Sequence, residues 1–417
     1  MPGEESLAGP STRRLQRPPS EETDVILDIF SELQQADGGA PGDERRVYLE
    51  AIEEAKLADE KDFGCWWTVE HHGAPRFSYS SSPEMMLAVL SQHTERIHLG
   101  HAGVLAPFQI NHPVRVAEHG ALVDVLSNGR LELGLARSGG TEWDTFEIDP
   151  ETSRDQLREA LRMVPRMWTE QTFSWKSEFA TIPERNIVPK PVQQPHPPLW
   201  QTTTSEESFF MAGELGVGML GTTLISPLDS LSLLLAEYER GLAACKEPAG
   251  QFVNAQKAVF TFMLCAESRQ QAIEARMAES ILWFINAAPT VFQVPREVWI
   301  GAIRGDLLDG TPEATASMEA PEVYDDLDLN DPVPVIALLN QQLMGEAIDP
   351  VEAYEVLEQI ESIVIGDVDA CYEKLARYRE IGCDRLMCLM KVGHVAHADV
   401  MTSIRLTGDE LIPRLVG

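Results

Sequence analysis

The chain has 417 residues, with 33 Lys and Arg against 66 Asp and Glu, a formal charge of −33. A protein this acidic is repelled by nucleic-acid phosphates and by anionic membrane surfaces, and no clustered basic block offsets that repulsion, so no nucleic-acid or membrane partner is expected. Hydrophobic residues at 44% and charged residues at 24% are ordinary globular usage, which excludes wholesale disorder and provides for a large core.

In chain order, residues 1–22 are rich in Pro, Ser, Glu and Arg without periodicity and read as a flexible tail. The Met1 end lacks the apolar stretch of a secretory signal, and no apolar run approaches the ~18 residues that span a bilayer. A cytoplasmic protein is therefore expected, and the six scattered cysteines, with no CxxC pair, read as reduced core residues. From residue 23 to 417 the pattern is one domain of repeated βα units. Eight β-like runs, at 25–30, 65–69, 97–104, 131–135, 199–203, 217–221, 258–265 and 385–390, alternate with amphipathic stretches. Val47, Ala51, Ala55 and Ala58 mark one helical face, and Leu157, Leu161, Val164 and Trp168 another. Ser82-Pro83 and Asp149-Pro150 each set a capping side chain before a proline at the first helical position. Eight strands separated by helices predict an α/β fold, a parallel (β/α)8 TIM barrel, with an open doubly wound sheet as the alternative. Segments 172–198, rich in Pro and aromatics, and 294–340, with an acidic helix-poor run, break the repeat and read as insertions over one mouth.

The sharpest chemical feature is Trp66-Trp67-Thr68-Val69-Glu70-His71-His72, an aromatic strand ending in a carboxylate and two imidazoles. Catalytic groups of parallel barrels stand at the C-terminal ends of strands, and an imidazole there can exchange a proton near neutral pH. Strand alternation sends His71 and His72 in different directions. His98 and His101, three apart in a strand pattern, face opposite sides, so no metal site is expected. Gly216-Val217-Gly218-Met219-Leu220-Gly221 satisfies GxGxxG, but it follows a helix and runs into a strand, the reverse of a dinucleotide fingerprint. Arg137, followed by Ser138-Gly139-Gly140, whose unhindered backbone allows close approach of a ligand, and Arg154 share a mouth with Thr204, Ser205 and Ser208, where a helix begins; this combination suits a phosphate.

The EHH of residues 70–72, the run TERIHLGHAGVLAPFQINHPVRVAEHGALVDVLSNGRLELGLAR, the Ser-Arg pair ending at Arg154 and PVQQPHPPLWQTTTSEES follow one another in an order that resembles the bacterial luciferase-like, flavin-dependent monooxygenases. The likeness runs from about residue 24 to 220 and resumes in the last βα unit. It implies a TIM barrel that binds reduced FMN, delivered by a separate flavin reductase, and reacts it with O2 to a flavin C4a-peroxide that oxygenates a small-molecule substrate. By the resemblance, His71 with Glu70 is catalytic, Arg137, Arg154, Thr204, Ser205 and Ser208 serve the FMN phosphate, and Ala102-Gly103 form a bulge, often a non-proline cis peptide, behind the flavin ring. Trp66, Phe108 and Trp143 are expected to wall a dry cavity. Ala136 stands where luciferase has a reactive cysteine, and Thr204 replaces a carboxylate, so light emission is not implied. The resemblance also implies a homodimer formed through helices 83–92 and 114–126. Two alternatives keep the fold: an F420-dependent hydride-transferring oxidoreductase, and a non-catalytic flavin-binding subunit.

Overall fold

Parallel strands need apolar residues on both faces, because helices cover the outside of the sheet and side chains fill the inside. In the computed structural model, which describes residues 25–36, 42–305 and 327–415, the apolar runs fold in that way. The chain opens with β1 (Ile26–Ser31), α1 (Asp43–Glu60), β2 (Cys65–Thr68), α2 (Pro83–Leu90), β3 (His98–Leu105), α3 (Pro113–Leu126) and β4 (Leu131–Ala136). A short α4 (Thr141–Thr145) and long α5 (Pro150–Thr169) lead to a hairpin of β5 (Phe173–Lys176) and β6 (Thr181–Arg185). Then come β7 (Leu199–Thr203), α6 (Glu206–Glu214), β8 (Gly218–Thr222), α7 (Leu228–Ala244) and β9 (Lys257–Cys265). Helices α8 (Arg269–Glu274), α9 (Met277–Phe292), α10 (Arg296–Ile303), α11 (Pro334–Leu343) and α12 (Pro350–Glu358) precede β10 (Val364–Gly366), α13 (Val368–Glu380), β11 (Arg385–Leu389) and α14 (His397–Leu406).

Eight strands pair in parallel around the ring β1-β2-β3-β4-β7-β8-β9-β11, and β11 returns to β1. The sheet is closed, so the doubly wound alternative is excluded, and each barrel strand lies within one residue of its expected bounds. Segment 172–198 holds the β5–β6 hairpin, and segment 294–340 is more helical than expected, since α10 lies in it and α11 begins in it. Part of that acidic segment, and the expected tail 1–22, lie outside the described residues. Strand β10, which adds to the end of β9, is only three residues long and left no periodic signal. The predicted helix faces are buried, including Val47, Ala55, Leu161 and Trp168. Asp149 caps α5 by accepting from Glu151 N, but Ser82 makes no side-chain cap bond, whereas His112 Nδ1 accepts from Val114 N at the start of α3. The six cysteines are free. Among the described residues no helix is long and apolar enough to cross a membrane.

The floor of the barrel is polar. Arg385 donates from Nε and Nη2 to the two oxygens of Asp28 at 2.8 Å each, and Trp67 Nε1 donates to Asp28 Oδ2 at 2.8 Å. Trp67 meets Trp200 edge-on, 5.4 Å between ring centroids, and Trp200 Nε1 donates to Glu132 Oε2, whose other oxygen lies 2.9 Å from His98 Nδ1. Strands β2 and β7 are not neighbours, so the Trp67–Trp200 contact crosses the interior and fixes which residues point inward. Gly100 and Gly218 make room for it: a Cβ at either would lie 2.1 or 2.4 Å from an indole carbon. Burial opposes the Arg385 charge, but the attraction of Asp28 outweighs it and holds Arg385 above its ordinary pKa.

Removing one partner of such a pair strands a buried charge, which costs about 3–5 kcal/mol. Asp28→Ala is expected to lose that much in urea denaturation, and Asp28→Leu with Arg385→Met to recover most of it. A loss below about 1 kcal/mol in the single variant would show that the pair is not what holds the floor together.

Candidate active site at the C-terminal mouth

Inward-facing Trp67 sets the register of β2 and its continuation: His71 points over the barrel axis and Glu70 points outward. His71 is held between two buried carboxylates. Its Nδ1 lies 3.2 Å from Glu142 Oε1 and its Nε2 3.6 Å from Glu32 Oε2, while its backbone N donates to Ser80 O at 2.9 Å. Burial alone would lower the His71 pKa, but Glu32 and the hydrogen-bonded Glu142 outweigh it and raise it. Glu32, pushed up to about 7 by burial against the opposing pull of His71, has no hydrogen-bond partner at Oε2. Phe77 and Phe292 stand edge-on to the imidazole, with centroids 5.9 and 5.6 Å away.

Glu32 and Glu142 were not expected from the sequence, although Asp28, Phe30 and Glu32 alternate along β1 as inward residues do. Glu142 lay in a loop with no periodicity to orient it. That loop is shaped by Gly140, at φ 56°, where a Cβ would lie 2.2 Å from Val291 O. The glycine therefore admits the end of α9, which carries Phe292, and its space is not left for a ligand as the sequence suggested.

Glu70 occupies both oxygens with scaffold contacts: Leu105 N donates to Oε2 at 2.9 Å, Asn111 Nδ2 donates to both oxygens, and His72 Nε2 lies 3.1 Å from Oε1. Burial favours its neutral form, but His72, His101 and these donors outweigh burial and lower its pKa. Glu70 thus ties β2 to the loop between β3 and α3, and His72 turns away from His71 to stack edge-on against Phe146.

On the neighbouring arc, Gly103 is the extra residue of a bulge between Ala102 and Val104, where the pairing of β3 with β4 shifts. A Cβ at Gly103 would come within 2.9 Å of Thr202 Oγ1 and of the β4 backbone, so the bulge closes tightly onto β4 and β7. The Ala102-Gly103 bond is trans: the cis bonds of the described residues are Val188-Pro189 and Gln194-Pro195.

The cationic residues gather where β4 ends and α5 and α6 begin. Arg137 donates to Ser153 Oγ and Pro150 O at 2.7 Å and lies 5.2 Å over Trp143. Burial and the nearby charge of Arg154 lower its pKa, and Glu207 opposes them. Arg154 is ion-paired with Glu207 on the first turn of α6. Ser205 and Ser208 form a reciprocal capping box there, and Ser208 Oγ accepts from Thr204 N and Ser205 N at 2.9 Å. Ser138 Oγ and Thr202 Oγ1 are buried without a partner. Of the expected cavity walls, Trp143 stands at Arg137 and Phe108 meets Phe179 of the insertion, but Trp66, whose neighbour Trp67 points inward, packs toward the helical layer instead. The GxGxxG string lies at the end of α6 and along β8, as its reversed context required. Among the described residues no three His, Cys, Asp or Glu side chains gather as metal ligands.

Between about pH 4.5 and 7 the folded chain keeps a proton on Glu32 that the unfolded chain has released, so this contribution to stability falls as pH rises, by up to about 3 kcal/mol. The His71 contribution has the same sign: full below about pH 6.5, it is lost as pH rises through the raised folded value. Glu32→Gln is expected to flatten the fall in urea midpoint between pH 5 and 7.5, and an unchanged slope would refute the assignment.

The sequence model of the family described as luciferase-like monooxygenase matches residues 28–385. The oxygenase component of the flavin-dependent trigonelline monooxygenase of Acinetobacter baylyi is 30% identical over 207 residues, 49% of this chain and 56% of that protein. Limonene 1,2-monooxygenase of Rhodococcus erythropolis is 29% identical over 56% of this chain and 59% of its own length. The chain thus spans little more than half the length of these curated relatives. Among solved structures, a monooxygenase of Streptomyces bottropensis superposes with TM-score 0.69 at 21% identity, covering 94% of this chain and 99% of its own. The oxygenating constituent of 3,6-diketocamphane monooxygenase of Pseudomonas putida, a type II Baeyer–Villiger enzyme in complex with FMN, gives 0.67 at 18% identity, with the same coverage. An F420-dependent secondary alcohol dehydrogenase gives 0.62 at 14% identity, covering 93% of this chain and 98% of its own. At these identities the structural likeness concerns the fold alone.

Proposed function

The chain belongs to the luciferase-like monooxygenase family, and from that premise we propose that it is the oxygenase component of a two-component enzyme that uses reduced FMN and O2 to oxygenate a small organic molecule. The observation that carries this reading is the convergence, at one barrel mouth, of a carboxylate-held imidazole with two half-buried arginines beside a capped helix start. The residues fit the cofactor. Arg137, Arg154, Ser205 and Ser208, with the backbone at Thr204, would hold its phosphate, and the partnerless Thr202 and Ser138 hydroxyls, beside the short side chains of Ala102, Gly103 and Ala136, leave polar and flat wall for a ring system. Bound and reduced, FMN supplies the two electrons that let one O2 yield an oxygenated product and water.

The chain's own work is proton handling and exclusion of water. His71 sits where it can give or take a proton; the hydrogen-bonded Glu142 holds the imidazolium form and fixes its ring, and Glu32 adds to that hold once its own carboxyl ionises. Phe77 and Phe292 shield it, and Glu70 acts through the scaffold, locking the loop after β3 against the end of β2. The same proton acceptor favours a second reading, hydride transfer from an alcohol to F420, since the departing hydroxyl proton would have a place to go.

His71→Ala is expected to bind FMN as the parent does and to lose product formation about a hundredfold or more, with the oxygen consumed appearing as H2O2. Unchanged product would remove His71 from the mechanism. Anaerobic titration with reduced FMN, then stopped-flow mixing with oxygenated buffer, separates the two readings: saturable binding with an O2-dependent absorbance transient supports the monooxygenase, while indifference to FMN together with anaerobic reduction of F420 by an alcohol supports the dehydrogenase.

We further propose a homodimer through α2 and α3, which expose Met85, Val89, Leu122, Val125 and Leu126 on packed neighbouring helices. Met85→Glu with Leu122→Glu is expected to shift the light-scattering mass from twice the chain mass to the chain mass; a parent already at 46.3 kDa would refute the interface.

A further inference from the structure

An aromatic ring of the chain's own lies against the His71 imidazole. Phe292, the last residue of α9, stands edge-on to His71 with centroids 5.6 Å apart and edge-on to Phe77 at 5.8 Å, and it is tilted by 34° against Trp299 of α10 at 6.1 Å. Aromatic rings attract one another at these separations and angles. Phe77 is itself buried and backed by Phe284 at 4.8 Å, so the wall that meets the Phe292 ring is fixed. The backbone of Phe292 is fixed as well: Val291 O and Phe292 Cα close onto Gly140, and Gln293 Nε2 donates to Asp144 Oδ2 at 3.0 Å. The side chain is only partly buried, and a turn about its own χ angles clears the place beside His71 without moving α9.

Two buried polar atoms on the residues around this ring are left unanswered by it. Trp299 Nε1, a donor, has no hydrogen-bond partner, and neither has Glu32 Oε2, which lies 3.6 Å from His71 Nε2. A phenyl group can meet neither, and buried polar groups without partners are unfavourable, so Phe292 suits the shape of the place it fills and not its polarity. A flat ring that also carries a hydroxyl suits both, since a hydroxyl can accept from an indole N–H or donate to a carboxylate oxygen. We propose that Phe292 stands in the place of the substrate's ring, and that the substrate is a planar aromatic molecule bearing a hydroxyl group, which takes that place when the Phe292 side chain turns away. Its ring then meets His71, Phe77 and Trp299 as Phe292 does, and its hydroxyl completes the polar contacts that Phe292 leaves open. The inference rests on the oxygenase reading of the preceding subsection, to which it adds the substrate class.

The test is calorimetric titration of the full chain, without cofactor, by phenol, by toluene, which keeps the ring and lacks the hydroxyl, and by cyclohexanol, which keeps the hydroxyl and lacks the flat ring. Phe292→Ala is expected to bind phenol about tenfold or more tighter than the parent does, because the place is then already clear. In that variant phenol is expected to bind at least about threefold tighter than toluene or cyclohexanol. Adding Trp299→Phe is expected to weaken phenol about threefold or more and to leave toluene unchanged, a difference that a merely structural role of the indole would not produce. Phe292→Leu, which keeps most of the apolar bulk, is expected to tighten phenol by a smaller factor and takes the place of the alanine variant if that one does not fold. Phenol no tighter in either Phe292 variant than in the parent, toluene or cyclohexanol as tight as phenol, or equal weakening of phenol and toluene by Trp299→Phe overturns the proposal. The parent is titrated separately with FMN: loss of phenol binding with FMN binding intact removes this proposal alone, whereas failure to bind FMN removes the oxygenase reading and with it the assignment of the ring ligand as substrate.

Discussion

The barrel depends on a charge pair that it seals from water. Asp28 and Arg385 stand on the adjoining strands β1 and β11, where the first and last segments of the sheet meet, so the ion pair is a bond across the seam that closes the ring. Buried ions are tolerated only when their remaining hydrogen-bonding capacity is met. Here the Trp67 indole meets it for Asp28, and that commitment sends Trp67 inward, where it meets Trp200 and through it Glu132 and His98. Each link constrains a further strand, and the glycines at 100 and 218 are the complement of the two indoles.

The same constraint reaches the mouth. Because Trp67 points inward, alternation places His71 above the axis and Glu70 on the outer face, two residues of one motif with opposite duties. Glu70 meets backbone and amide donors and serves the loop after β3. His71 meets two carboxylates and aromatic edges, an environment in which its proton is held more firmly than in water. The arginines on the other arc belong to elements that begin just beyond β4 and β7, so proton chemistry and anion binding come from different strands of one rim, as is usual for parallel barrels.

Much of this was legible in the amino-acid order. The βα alternation placed every barrel strand to within a residue, because a strand buried on both faces must be apolar along its length, and the signal is local. The EHH string, the arginines and the serines of the α6 start were visible because they sit at element ends, where capping residues and glycines mark position. The sequence is silent where the determinant is a distant contact: the Trp67–Trp200 contact sets the register that turns Trp66 away from the cavity, and the end of α9 fills the space beside Gly140. The Ala102-Gly103 bulge follows from the family resemblance, and the register shift between Ala102 and Val104 bears it out, with the bond across it trans.

What the sequence alone determined about this protein, then, is its element order, the parallel strands of its sheet and the rim on which its charged and titratable residues stand, since these follow from periodicity and from residue preferences at strand and helix ends. Only the tertiary structure decided which of those residues meet. Glu32 and Glu142 flank His71 across a separation of 110 residues between the carboxylates, and Glu207 reaches Arg154 from another helix. Contacts of that range are set by ring closure and strand register, and neither is written in any short stretch of the chain.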